Sequence, residues 1–77
     1  MKGIVQMNQE IYRIARNANG PVSLSRLADM LGYDTSRGVA KRVAAAYWWY
    51  YKGGNETAAA EIARTFVDRN GNYAWWL

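Results

Sequence analysis

Four stretches of this chain repeat their apolar residues every three or four positions, the spacing of one helical face. Ile4, Met7, Ile11, Ile14, Ala15 and Ala18 make up the first and predict a helix from about Ile4 to Asn17. Asn19-Gly20-Pro21 closes it, because Gly suits the position after a helix and Pro cannot continue one. Val22 adds a short extended piece. Leu24, Leu27, Ala28 and Leu31 predict a second helix from Leu24 to Leu31, with Ser23 as its N-cap. Gly32 supplies the stop. Tyr33 is expected to fold back as an apolar lock between two helices.

The third stretch, Ser36 to Lys52, is the longest and has two different halves. Asp34, Thr35 and Ser36 are all good caps, so the helix is expected to start within one residue of Thr35. Successive residues are about 100° apart around a helix. Val39, Val43, Ala46, Tyr47 and Tyr50 therefore share a core-facing stripe. Arg37, Lys41, Trp48 and Lys52 fall on the opposite side. The second half, Tyr47-Trp48-Trp49-Tyr50-Tyr51, is apolar nearly all round and needs cover on both sides. Gly38, in the first turn, is expected to mark close packing against the second helix.

Gly53-Gly54 ends this helix, and Asn55 caps a fourth from about Glu56 to Arg64. Ala59, Ile62, Ala63 and Phe66 continue its apolar stripe. Its small face is expected to cover Trp48 or Trp49. The last segment, Thr65 to Leu77, carries Asn70-Gly71, the strongest short hairpin signal. A two-residue turn there pairs Arg69 with Asn72, Asp68 with Tyr73 and Val67 with Ala74. Phe66, Tyr73, Trp75 and Leu77 then share the face toward the core. The expected architecture is one domain over residues 1–77, mainly α with a C-terminal β-hairpin.

Composition narrows the chemistry. With 77 residues the core is small, and four Trp and six Tyr supply the area to fill it. No Cys is present, which excludes disulfide and thiolate-metal scaffolds. No His is present either, which removes the commonest general base and metal ligand. Glu56 and Glu61 read as solvated, and no Gly-rich phosphate loop occurs. No enzymatic role, cofactor, metal or small-molecule substrate is expected. No stretch approaches the ~20 apolar residues of a membrane helix, and the start of the chain has no secretory signal. A cytoplasmic protein without membrane contact is expected.

The formal charge of +4 is uneven. Lys2, Arg13, Arg16, Arg26, Arg37, Lys41, Arg42 and Lys52 precede Gly53, against Glu10, Asp29 and Asp34. After it come Arg64 and Arg69 against Glu56, Glu61 and Asp68. A basic patch is the electrostatic footprint of a polyanion binder, though a solvated surface can have the same balance.

The segment VSLSRLADMLGYDTSRGVAKRV, Val22 to Val43, resembles the winged helix-turn-helix family. The pattern is Leu24, Leu27-Ala28, Leu31-Gly32, the apolar Tyr33, a capping cluster, then Val39 and Val43. Ala28 stands where that family packs its helices closely, and Gly32 where it turns. The Asn-Gly hairpin looks like the wing. The resemblance implies a three-helix core, with the start of the third helix in the major groove of duplex DNA. The residues it places there are Thr35, Ser36, Arg37, Lys41 and Arg42, with Arg69 at the wing tip. It implies a transcriptional or mobile-element regulator. The 32–39 connection is one residue longer than in simple helix-turn-helix proteins, as is normal for winged versions, and the chain departs from the pattern in Trp48 and Trp49 and in the short fourth helix before the wing.

The aromatic run leaves further uses open. Tyr47 and Tyr50 read as core. The Tyr47 to Tyr51 run is otherwise a base-stacking platform for single strands or a dimer seam, and Trp48, Trp75 and Trp76 are either buried or an exposed patch that takes a partner. The alternative function is therefore a protein-interaction or assembly module of the same fold, including a homodimer.

Overall fold

A computed structural model describes residues 3–73 of the chain. The elements run α1 (Ile4–Asn17), β1 (Val22–Ser23), α2 (Leu24–Leu31), α3 (Ser36–Lys52), α4 (Glu56–Thr65) and β2 (Phe66–Val67). The described residues are thus mainly helical, with a two-stranded sheet. Helix α3 packs against α1, α2 and α4, and α1 also packs against α4.

The helices begin and end where their caps require. Ser23 Oγ accepts from the Arg26 N–H, Thr35 Oγ1 from the Gly38 N–H and Asn55 Oδ1 from the Ala58 N–H. Each satisfies one of the donors left free at a helix start. Helix α2 ends in a Schellman motif: Gly32 is left-handed at φ 77°, its N–H donates to Asp29 O, and the Tyr33 N–H donates to Ala28 O. Helix α3 ends the same way, with Gly54 left-handed and the Asn55 N–H on Tyr50 O. Asn55 therefore closes one helix with its backbone and opens the next with its side chain. Helix α1 stops differently from expectation. Ala18 turns extended (ψ 138°) and Gly20 is not left-handed, so the chain exits without a glycine cap.

The core is Ile11, Ala15, Leu24, Leu27, Ala28, Val39, Val43, Ala46, Ile62 and Phe66. Tyr12, Tyr33, Tyr47 and Tyr50 are half-buried against it. Tyr33 fills the lock position, with its hydroxyl donating to Met7 Sδ across 3.3 Å. Two polar features were not visible in the apolar pattern. Asn8 is only 1% exposed, and its Oδ1 has no hydrogen-bond partner. Thr65 Oγ1 lies 3.3 Å from Ala15 O and 2.6 Å from Glu61 O, tying the end of α4 to α1. Glu61 itself departs from expectation: its Oε2 is buried and unpartnered.

The C-terminal region departs from the expected hairpin. The sheet pairs β1 with β2 in parallel, Val22 with Phe66 and Ser23 with Val67. Beyond β2 the chain reverses and returns in a single antiparallel bridge, Val67 with Tyr73. The turn is one residue longer than the two-residue form. The Gly71 N–H donates to Asp68 O, and only Gly71 is left-handed, at φ 80°. That is a type I turn followed by a left-handed glycine. Asp68 explains the choice, since its Oδ1 accepts from the N–H groups of both Asn70 and Asn72. Shifting a pairing by one residue moves a side chain to the other face. Tyr73 is accordingly 52% exposed, while Phe66 is fully buried. The expected places of Trp75, Trp76 and Leu77 lie outside the described residues.

Candidate functional site

The N-terminal half of α3 lies over a buried stripe and leaves its other side free. Val39, Val43 and Ala46 anchor the helix in the core. Positions on the opposite side must then face outward, and Arg37 and Lys41, one turn apart, are both exposed. Arg42 is half-buried, because it lies closer to the core stripe. Ser36 is half-buried and Thr35 exposed. The Thr35 hydroxyl oxygen is already engaged by the Gly38 N–H at 3.3 Å, which leaves its O–H to donate outward.

The turn after β2 returns to this end of α3. Arg69 lines a cleft of about 340 Å³ together with Ser25, Ala28, Asp29, Asp34, Thr35 and Ser36. Arg69, far in sequence from Thr35 and Ser36, is thus brought to the same cleft. Arg37, Lys41 and Arg42 do not line the cleft. Two carboxylates also line the cleft, and no linear pattern groups them with Arg69. Asp29 lies on α2 and Asp34 in the capping cluster before α3. The cleft thus holds two carboxylates and one cation, whereas Arg37 and Lys41 are exposed on α3 outside it.

Gly38 is not a point of close helix packing. A Cβ placed there would meet only Thr35 Oγ1, at an ordinary 3.6 Å. The expected backbone approach from α2 is absent at this position.

At the far end of α3 the aromatic run divides. Tyr50 turns inward and meets Tyr12, ring centroids 5.0 Å apart. Burial first, and the Tyr12 phenol second, push its pKa above the ordinary tyrosine value. Tyr47 and Tyr51 stack at 5.7 Å with an interplanar angle of 12°. Trp48 meets both edge-on and carries Lys52 Nζ over its ring at 5.7 Å. The expected cover from α4 fails for both indoles: Trp48 is 49% exposed and Trp49 44%. The reason is the direction of α4. Its buried residues Ala58, Ala59, Ile62 and Thr65 face the core, so the helix runs beside Tyr47 and Tyr51.

No group of three or more carboxylate residues suited to a metal occurs among the described residues. Among the same residues no helix is long and apolar enough to cross a membrane. Comparison with protein-family models, curated proteins and solved structures returned no match to the chain.

Proposed function

We propose that this chain binds duplex DNA as a winged helix-turn-helix protein, with the N-terminal half of α3 in the major groove. The observation that carries the reading is the free cationic side of α3, Arg37 and Lys41, next to a cleft where Thr35 and Ser36 meet Arg69. A core-anchored helix with exposed cations one turn apart suits a phosphate-lined groove. Arg37, near the helix start, can reach a guanine edge or a phosphate. Lys41, one turn on, suits phosphate. Thr35 and Ser36 can donate to phosphate oxygens, and Arg69 at the turn tip reaches the neighbouring backbone.

The pattern at Val22 to Val43 supports the same family, as does the Schellman turn at Gly32 between α2 and α3. The wing in this reading is short, built on the turn at Asp68 to Gly71. The role that fits is a cytoplasmic regulator of transcription or of a mobile element, with no catalytic step.

The test is fluorescence anisotropy of a random-sequence duplex with the wild type and with Arg37→Ala/Lys41→Ala. Wild-type binding with a folded double variant that binds far more weakly supports the reading. Equal binding by both proteins would falsify the assigned surface.

A further inference from the structure

The groove between the aromatic end of α3 and α4 has a wall, a floor and two charged ends. Tyr47 and Tyr51 form the wall, Ala59, Ala60 and Ala63 the floor, and Glu56 and Arg64 complete the lining. Its volume is about 440 Å³. Tyr51 is 48% exposed, and Trp48, edge-on to Tyr47 and Tyr51, extends the apolar surface beyond it. Large aromatics left half in water beside a groove mark an interaction surface.

The charges say what the surface fits. Glu56 and Arg64 are both exposed and lie two turns apart on one side of α4, with Ala60 midway between them. The separation is about 12 Å along the axis, so the two do not pair with each other. A two-fold axis through Ala60 turns α4 end for end. It sets each Glu56 opposite an Arg64 and brings no large side chain to the axis. A two-fold interface requires this self-complementarity, with residue i on j and j on i. A foreign partner imposes no such symmetry on the chain.

We infer that this chain pairs with a second copy of itself across α4, with Glu56 of each copy against the partner's Arg64 and with Tyr47, Tyr51 and Trp48 closing the apolar part of the contact. The pairing is independent of the DNA reading, since it uses other residues and its test reads mass.

Sedimentation velocity of the full chain tests it, from about 10 µM to about 500 µM, a range that covers weak homodimers. The wild type should shift from monomer to dimer mass. Glu56→Arg and Arg64→Glu each turn both symmetric attractions into repulsions, so each variant alone should self-associate about tenfold more weakly or worse. An equimolar mixture of the two restores opposite charges at both sites and should recover dimer mass. Tyr51→Glu, which puts a charge on the aromatic wall, should also be monomeric. A wild type that stays monomeric throughout overturns the inference. So do single charge variants that dimerise like the wild type, or a mixture of them that stays monomeric.

Discussion

Arg69 lines the same cleft as Thr35, the residue whose hydroxyl caps α3. The cap fixes where the helix starts, and the turn at Asp68 to Gly71 fixes where Arg69 stands. The two devices are local, yet together they bring a cation from the end of the chain to the start of the central helix. In the DNA reading this gives two points of backbone contact, one on α3 and one on the turn.

Arg69→Ala should weaken binding to a random duplex several-fold. It should also lower the slope of log K against log salt by about 1, the signature of one lost phosphate contact. The side chain is exposed, so stability should change by less than about 0.5 kcal/mol. Anisotropy across a salt series and a thermal melt check the two parts. Asp34→Asn, which removes a carboxylate from the same cleft, should move affinity the other way.

Gly38→Ala should stabilise the protein. The position is helical, φ is not positive, and a Cβ meets only Thr35 Oγ1 at 3.6 Å. Alanine is better than glycine inside a helix by up to ~1 kcal/mol. For a domain of this size that raises the melting temperature by about 4–8 °C. A lower midpoint in a calorimetric scan would show that the first turn of α3 needs the glycine.

Asn8→Leu should also stabilise. Asn8 is buried on α1, one turn before the core residue Ile11, and its Oδ1 has no hydrogen-bond partner. A buried unpaired polar group costs about 1–3 kcal/mol, and leucine removes that cost at similar size. Urea unfolding of both proteins should show a higher midpoint for the variant. A lower one would mean that the amide is engaged.

Tyr50 makes stability sensitive to alkali. Its pKa is raised above 10.0 in the folded chain by burial and, less strongly, by Tyr12. The neutral phenol is therefore the favoured form in the fold. Its contribution is fully present below pH 10 and is lost as pH rises through the raised folded value. Unfolding midpoints between about pH 9 and pH 11.5 should fall less steeply for Tyr50→Phe than for the wild type. Parallel curves would remove Tyr50 from the account.

All four helices were legible in the sequence from their apolar spacing, and α2, α3 and α4 each carry a capping residue at the start. The Ser23, Thr35 and Asn55 caps and the Gly32 turn are local signals, and the structure places each as read. Burial of Asn8 and of the Glu61 Oε2 atom was not legible, since an apolar stripe says nothing about a polar residue that lies within it. The turn is one residue longer than expected because Asn70-Gly71 is compatible with two loop lengths. The choice fell to Asp68, whose carboxylate binds two backbone N–H groups of the longer loop. The parallel pairing of β1 with β2 joins strands of two residues each, too short to show any alternation. At the site, exposure of Arg37 and Lys41 followed from helical phase. That Arg69 shares a cleft with Asp29 and Asp34 is a tertiary fact that no local spacing carries.

The most direct measurement is the salt dependence of duplex binding for the wild type and for Arg37→Ala/Lys41→Ala. Each phosphate contact contributes about 0.9 to the slope of log K against log salt. The wild-type slope should be steep and should fall by close to 2 in the double variant, with the melting temperature unchanged. A wild type that does not bind, or a slope that both proteins share, would contradict the DNA reading.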